Sequence, residues 1–235
     1  MTQQLQTSRR TPLNRGRVLA AAVALADEVG LDALSMRRLA EVLGVVPMAL
    51  YKHVANKDEL LDGMVDAVIG EIAPVASGAG WKDAVRLRVL SARQALLRHP
   101  WARQALETRT NRTPAVLAYT DEFIGMFLAG GFSVDLTHHV MHALGSRMFG
   151  FSQELYTGAH GAAPVGEARR QFALMFPNIA AVAAGADHED STIVGPGCDD
   201  QFEFEFALDL VLDGFELLRQ RDWRSTSRRT GLAAA

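Results

Sequence analysis

Cysteine is almost absent from this sequence of 235 residues. The single Cys198 cannot form an internal disulfide, and it leaves no second thiolate for a CxxC motif or a zinc ribbon. Proteins stabilised by a disulfide framework or by cysteine-bound zinc are therefore excluded. A reducing compartment fits this composition.

Long hydrophobic runs are lacking as well. The longest charge-free apolar stretches fall short of about 18 residues, so no membrane span is predicted. The polar residues 1–11 contain no apolar segment of the kind that a secretion signal needs. We therefore expect a cytoplasmic protein without a membrane partner.

An excess of positive charge is also missing from the chain as a whole, whose formal net charge is −3. The charge is unevenly placed, however. Residues 1–58 carry eight basic and five acidic residues, a net of +3, whereas the remainder carries 16 basic and 22 acidic residues, a net of −6. This asymmetry indicates a polyanion-binding end attached to a different module.

Apolar residues recur three or four positions apart along most of the chain, which predicts an all-α fold. Strand-like alternation is confined to the segment around Phe204. Helices are predicted over 14–29, 35–44, 47–54, 57–72, 81–98, 101–108, 112–129, 134–156, 165–183 and 201–221.

The small, uncharged segment 74–80 predicts a domain boundary. The expected organisation is a polar tail, a helix-turn-helix domain, a larger helical domain and a basic tail of small residues. Their limits are 1–11, 12–73, 80–222 and 223–235.

Residues 34–54 have the layout of a helix-turn-helix, with a short helix, a turn containing glycine and a second short helix. The outward residues of the second helix would offer apolar atoms to thymine methyl groups, a phenol and an imidazole to phosphates, and an ammonium group to phosphate or guanine. These residues are Pro47, Met48, Tyr51 and Lys52, with His53 at the edge.

Arg37 and Arg38 occupy the first turn of a helix capped by Ser35, where the helix dipole disfavours basic residues by roughly 0.3–1 kcal/mol. An arginine there can bind guanine or phosphate, which would account for this placement. The alternative is a plain helical hairpin whose outward residues are only solvated.

The stretch LYKHV-x-NK-x-ELL, within a match that covers residues 12–72, resembles the DNA-binding domain of the tetracycline-repressor (TetR) family. The resemblance implies that the helix over 47–53 enters the major groove and that Arg37 contacts a base. It also implies that Ala49 departs from the Ser, Thr or Gly found in many relatives. The DNA-binding candidates are Ser35, Arg37, Arg38, Pro47, Met48, Ala49, Tyr51, Lys52, His53 and Lys57, of which Pro47 and Met48 would make apolar base contacts and Tyr51, His53 and Lys57 would hold the DNA backbone.

The segments LLRHPWARQAL and FLAGGF resemble the tetracycline-repressor branch of that family. This implies a helical domain that binds a small-molecule effector and dimerises through its last helices. The helix over 202–218 is apolar on two faces, which a second copy of the chain could cover. A central core helix of a monomer is the alternative.

Large apolar and sulfur-containing side chains in the second domain would suit a bulky ligand, although they would equally build a core. In the tetracycline branch a histidine before residue 112 helps to hold a metal-chelated drug, whereas this sequence has Glu107 in that region. The ligand-binding candidates are Trp101, Glu107, Phe123, Phe127, His139, Met148, Phe172, Met175 and Phe176.

His138, His139 and His142 are spaced three and four apart, as on a zinc-binding helix, but no HExxH glutamate and no distant third ligand accompany them. We therefore predict a transcriptional regulator that is not an enzyme and has no cofactor or metal. It would be a ligand-released repressor that binds a pseudo-palindromic operator in double-stranded DNA as a homodimer. The alternatives are a metal-dependent helical enzyme that uses these histidines and a helical ligand-binding module that does not bind DNA.

Overall fold

The computed structural model describes residues 12–76, 78–109, 112–150, 166–178, 180–181 and 200–225. Within these ranges the regular structure is α-helical and contains no strand, so the predicted all-α class is confirmed. The helices are α1 Arg15–Val29, α2 Met36–Leu43, α3 Pro47–Leu50, α4 Lys57–Gly70, α5 Trp81–Arg98, α6 Trp101–Thr108, α7 Pro114–Ala129, α8 Val134–Gly150, α9 Glu167–Met175 and α10 Asp200–Gln220.

Most predicted helix limits agree with these bounds to within two residues, and two do not. The helix predicted over 47–54 ends as an α-helix at Leu50. The helix predicted over 165–183 is wrong as a single element, because α9 ends at Met175 and Phe176 takes a non-helical conformation before Pro177. The end of the helix predicted over 134–156 lies outside the described residues.

The chain divides into two compact units after Ala129. In the first unit α1 packs against α2 and α4, and α4 also packs against α5, α6 and α7. The predicted boundary at 74–80 therefore connects two helices that contact each other. The domain limits given above stay a prediction.

The core of the first unit follows from its apolar periodicity. One face of α1 is buried through Val18, Ala22 and Ala26, and α4 contributes Leu60 and Met64. Fully burying a side chain of this size stabilises a fold by about 1.5–3 kcal/mol. These residues hold α1 and α4 together beneath the short helices α2 and α3.

The second unit contains α8, α9 and α10 among its described residues, and α8 packs against α10. Both helices bury leucines or an aromatic ring along one face, including Leu136, Leu144, Leu208 and Phe215. No helix in the described part of the chain is long and apolar enough to cross a membrane.

Candidate nucleic-acid interface

The helix α2 is bounded by strong local signals at both ends. The Ser35 hydroxyl accepts a hydrogen bond from the Arg38 backbone N–H at 3.2 Å, which satisfies one of the free donors of the first turn. Gly44 ends the helix in the left-handed conformation, with φ 65° and ψ 36°. Leu39 and Ala40 are buried, so the opposite face of α2 lies at the surface.

The helix α3 is short because its second half tightens into a turn. Pro47 occupies its first turn, where a missing N–H carries no penalty. The Leu50 carbonyl then accepts both the His53 N–H at 2.8 Å, an i to i+3 contact, and the Val54 N–H at 3.1 Å, and the helix ends in this turn. The side chains of Leu50 and Val54 are fully buried on the inner side of this segment. The opposite side of α3 therefore faces outward.

Apolar side chains on that outer face are exposed. Met48 is 71% exposed and Val46 is 67% exposed, and Tyr51 is also exposed. Val42 on α2 is also an exposed apolar residue, and it was not among the candidates predicted from the sequence. The helical period of α2 could have identified Val42, because a valine on the outer face of a short amphipathic helix is not needed for the core.

The cationic candidates are exposed too. The Arg37 side chain is 86% exposed and its Nε donates to the Glu41 carboxylate at 3.1 Å. An exposed i, i+4 pair of this kind contributes only about 0.3–0.5 kcal/mol, so the guanidinium can exchange Glu41 for another acceptor at little cost. Arg38 and Lys52 are exposed, whereas His53 is half-buried.

The start of α4 adds a further group to this surface. The Asn56 side chain accepts the Glu59 N–H at 2.8 Å, and the Glu59 carboxylate accepts the Ala55 N–H at 2.7 Å. These reciprocal bonds cap the helix. Lys57 is its first residue and is exposed, so its ammonium group lies beside a helix N-terminus, where phosphate binds favourably.

The structure thus brings the DNA-binding candidates onto one continuous segment that runs from Ser35 to Lys57. Three of them are less available than the rest. The Ser35 hydroxyl already serves as a cap, and Ala49 and His53 are half-buried.

The candidate ligand contacts of the first unit are engaged with neighbouring residues. The Trp101 indole donates to the Asp27 carboxylate of α1 at 2.6 Å. Glu107 is exposed and pairs with Arg103 at 3.0 Å. Phe123 and Phe127 are buried, with their ring centroids 5.8 Å apart in an edge-to-face arrangement. The observed contacts of these residues are therefore internal to the unit.

A buried cation lies next to these aromatic rings. Arg88 donates to the Ala73 carbonyl at 2.9 Å and to Glu122 at 3.0 Å, and its guanidinium lies 4.7 Å from the centroid of the Tyr119 ring. Burial raises the pKa of the Tyr119 phenol, an effect that Arg88 partly opposes. The phenol is therefore neutral at physiological pH.

The candidates of the second unit differ from those of the first. Phe172 is half-buried, whereas Met175 and Phe176 are exposed, and the rings of Phe172 and Phe176 lie 5.1 Å apart. His139 is exposed and its ring lies 5.3 Å from that of Trp223. The side chain of Met148 lies outside the described residues.

The three histidines of α8 lie side by side without forming a metal centre. The ring centroids of His138 and His142 are 4.7 Å apart, and those of His138 and His139 are 5.2 Å apart. Among the described residues no group of three or more His, Cys, Asp or Glu side chains is arranged to hold a metal ion.

The helix α4 connects this surface with the segment between α6 and α7. Arg109 forms an ion pair with Asp62, and its NH1 group lies 3.7 Å from Asp58. The Thr113 hydroxyl donates to Asp66. These three carboxylates are spaced four residues apart and so share one face of α4, which the α6–α7 segment holds.

Two family models match the chain. The model of bacterial regulatory proteins of the tetR family matches residues 18–64, and the model of the tetracyclin repressor-like C-terminal domain matches residues 73–219. The chain belongs to the TetR family. TetR-family membership confirms the resemblance found in the sequence and makes the chain a DNA-binding transcriptional regulator.

Curated relatives of the TetR-family chain are themselves regulators. An HTH-type transcriptional regulator of Saccharopolyspora erythraea is 40% identical over 127 residues, which are 53% of this chain and 54% of that protein. In that alignment the chain spans about half the length of the relative. The HTH-type transcriptional repressor DrrR1 of Streptomyces coeruleorubidus is 30% identical over 221 residues, which are 88% of this chain and 78% of that protein.

Solved structures show the same relationship. Apo ActR from Streptomyces coelicolor has a TM-score of 0.67 and 26% identity, covering 90% of this chain and 99% of that chain. ActR in complex with actinorhodin has a TM-score of 0.64 and 27% identity, covering 88% and 98%. These relatives support neither the metal-dependent enzyme nor the ligand-binding module without DNA.

Proposed function

We propose that this protein is a ligand-released repressor that binds a pseudo-palindromic operator as a homodimer. The observation that carries the proposal is the outer face of α2 and α3, where exposed apolar and cationic side chains lie above a fully buried inner face. Met48 and Tyr51 are exposed and lie outside the buried core, and contact with a partner would account for their exposure.

The chemistry of each exposed side chain suits one part of DNA. Arg37 is suited to guanine in the major groove, and the apolar atoms of Pro47 and Met48 are suited to thymine methyl groups. Phosphate groups would be held by Tyr51, His53 and Lys57, with Ser35, Arg38, Ala49 and Lys52 alongside. The short helix α3 would lie in the groove, and α4 would contact the backbone with its N-terminus.

The second unit offers a surface for dimerisation on α10. Leu208, Leu212 and Phe215 are buried on one face. A second face carries large apolar side chains that are each more than half exposed and that recur mostly four positions apart. These residues are Phe202, Phe206, Leu210 and Leu217.

A second copy of the chain would cover this apolar face. In the resulting dimer the two α3 helices would have to lie roughly 34–36 Å apart to enter successive major grooves. A pseudo-palindromic operator follows from the two-fold symmetry of such a dimer.

The contacts between α4 and the α6–α7 segment support release by a ligand. Because Arg109 and Thr113 hold successive carboxylates of α4, beginning with Asp58, a ligand that moves α6 would also move the neighbouring Lys57 at the start of α4. Such a ligand would act by binding one arrangement more tightly than the other. The candidates for effector contacts within the first unit would be Trp101, Glu107, Phe123 and Phe127. Those of the second unit, taken by itself, would be His139, Met148, Phe172, Met175 and Phe176.

The names of relatives agree with this proposal. DrrR1 is described as a transcriptional repressor, and ActR has been solved with actinorhodin bound. We extend to this chain the role of a repressor that responds to a small organic effector. Neither catalysis nor a metal has a part in the proposed mechanism, and the protein would act in the cytoplasm, where its operator lies.

The test is an electrophoretic mobility shift with DNA that flanks the protein's own gene, at one fixed salt concentration. We expect a discrete complex whose footprint has two symmetric half-sites about 10–10.5 base pairs apart. The variant Tyr51→Ala/Lys52→Ala should weaken binding by about tenfold or more.

The matched control is Arg170→Gln, which removes an exposed ion pair within α9 and should leave the shift unchanged. Absence of a complex with the flanking DNA and with a random duplex library would overturn the proposal. Metal analysis of the purified protein tests the alternative of a metal-dependent enzyme, which requires a stoichiometric metal ion.

A further inference from the structure

A polar cluster joins four helices of the first unit around His99. It consists of Asp27 on α1, Glu71 at the end of α4, Arg98 and His99 at the end of α5, and Trp101 on α6. His99 is 7% exposed. Its backbone ends α5 because Pro100 follows and disfavours further helix, so the ring is fixed where the four helices meet.

Both ring nitrogens of His99 face carboxylates. Nδ1 lies 2.8 Å from Asp27 Oδ1, and Nε2 lies 3.1 Å from Glu71 Oε1. An ionised carboxylate only accepts hydrogen bonds, whereas a neutral imidazole has one donor and one acceptor nitrogen. The two contacts can therefore coexist as hydrogen bonds only when both ring nitrogens carry a proton.

Each carboxylate has a second donor that orients it toward the ring. The Trp101 indole donates to Asp27 Oδ1 at 2.6 Å, and Arg98 NH2 donates to Glu71 Oε2 at 2.7 Å. The Arg98 hydrogen bond, and to a smaller extent His99, lowers the pKa of Glu71 against the opposing effect of burial. Glu71 is therefore ionised throughout the neutral range.

The charges of the cluster balance only when the imidazole is protonated. Among the described residues, the charged groups in contact with the ring are Asp27 from α1 and Glu71 from the end of α4. Arg98 of α5 forms an ion pair with Glu71, and α6 contributes the uncharged indole of Trp101, which donates to Asp27. Loss of the ring proton leaves a net negative charge and turns a lone pair toward one carboxylate.

The cluster connects helices that have different roles in the proposed function. The helix α1 packs against α2, which carries Arg37, whereas α5 and α6 belong to the part proposed to respond to the effector. We propose that His99 is a positioning residue whose hydrogen bonds to Asp27 and Glu71 form a proton-dependent link from the α5–α6 junction to α1 and to the end of α4. This link would act in parallel with the contacts of Arg109 and Thr113 with α4, and it rests on the proposed function.

The primary test needs neither operator nor effector. Amide hydrogen exchange of the full chain is measured by mass spectrometry at about pH 6 and about pH 8, on the two sides of neutrality. Exchange of α1 peptides is expressed relative to peptides of α10, which contains no histidine, in the same sample; this ratio removes the intrinsic effect of pH. We expect the relative protection of α1 to fall by about tenfold as the pH rises, which corresponds to the loss of a charge-assisted hydrogen bond.

The variants His99→Gln and Asp27→Asn should already show the low α1 protection at about pH 6 and should lose its dependence on pH. Asp121→Asn, which neutralises an exposed carboxylate of α7, should behave as the wild type. If His99→Gln does not fold by circular dichroism, Asp27→Asn decides. Equal α1 protection at both pH values in the wild type, or a pH dependence retained in the variants, overturns the proposal.

A second measurement addresses DNA directly. The protein is titrated onto the flanking DNA in a His53→Gln background, because His53 is a titratable residue of the DNA-binding surface itself. We expect affinity to weaken several-fold between about pH 6 and about pH 8 with His99 present, and to be independent of pH in His99→Gln. If the wild type binds no DNA at either pH, the proposed function fails, and the exchange experiment still decides the role of His99.

Discussion

Arg37 is held to α2 by a single exposed ion pair with Glu41, so its guanidinium is available to another acceptor at little cost. We expect Arg37→Ala to weaken operator binding by about 1–3 kcal/mol and to relax specificity at one base pair. Binding isotherms against operators that carry each base at every position, at fixed salt, measure both effects. A uniform loss across all sequences would instead assign Arg37 to the phosphate backbone.

Lys57 should behave differently, because its ammonium group lies at a helix N-terminus and is suited to phosphate. Lys57→Ala should weaken binding to all sequences alike and reduce the slope of log K against log salt concentration by about 1. Titrations at several salt concentrations check this. The assignment fails if the slope is unchanged while preference among bases is altered.

At the scale of single residues, exposure could be predicted from the sequence whereas partners could not. The helical period alone placed Met48 and Tyr51 outward, as the structure shows. The large apolar side chain of Trp101 made it a ligand-binding candidate, but its hydrogen bond to Asp27, 74 residues away, could not be predicted. Contacts over such separations depend on the packing of helices, which local periodicity does not encode.

The turn between α2 and α3 depends on Gly44, whose φ of 65° lies in the left-handed region. We expect Gly44→Ala to destabilise the protein by about 1–2 kcal/mol, because L-residues are disfavoured in that region. Urea unfolding followed by circular dichroism measures the change in the free energy of unfolding. The matched control is Gly70→Ala in α4, where an added Cβ meets open space, so that stability should stay the same or rise by up to about 1 kcal/mol.

A carboxylate on α8 holds the segment that follows α10. Asp135 accepts the Ser225 N–H at 2.7 Å and the Ser225 hydroxyl at 2.9 Å. The backbone hydrogen bond from Ser225 is the main cause that lowers the pKa of Asp135. A lowered carboxyl pKa means that the attachment is complete above the ordinary carboxyl range and is lost as the pH falls through the lowered value.

We therefore expect the Ser225 amide to be protected from exchange at neutral pH and to lose protection on acidification. In Asp135→Asn it should be less protected at neutral pH and show no acid transition, which NMR of the Ser225 amide would follow. An acid transition that persists in Asp135→Asn would show that another group holds the segment.

At the scale of elements, the helix limits that could be predicted best from the sequence are those next to a proline or a glycine. The bounds of α5 and α6 agree with the structure because Gly80 and the pair His99-Pro100 mark them. The end of α3 was predicted too late, because the apolar spacing of Leu50 and Val54 fits both an α-helix and the tighter turn that the chain adopts. The spacing of buried side chains does not distinguish these two geometries.

At the scale of the whole molecule, the exposed apolar face of α10 predicts an oligomer. We expect one charge introduced into this face to dissociate it. Phe206→Glu should convert a dimer into a monomer, because a carboxylate placed in an apolar interface loses its hydration without gaining a partner. Sedimentation velocity at micromolar concentration would measure this change. Leu174→Glu makes the same kind of change at an exposed position of α9 and should leave the assembly intact; equal effects of both variants would contradict the assigned interface.

The two tasks of the N-terminal helices fall on different sets of residues. Leu39, Leu50 and Val54 are buried and hold the fold, whereas Val46, Met48 and Tyr51 face outward. Under the proposed function, substitution of an exposed base-contacting residue such as Met48 would change which DNA sequence is preferred while leaving the folding free energy almost unchanged. A lineage that carries this scaffold could then acquire new target genes through changes at a few surface codons, without passing through an unstable ancestor.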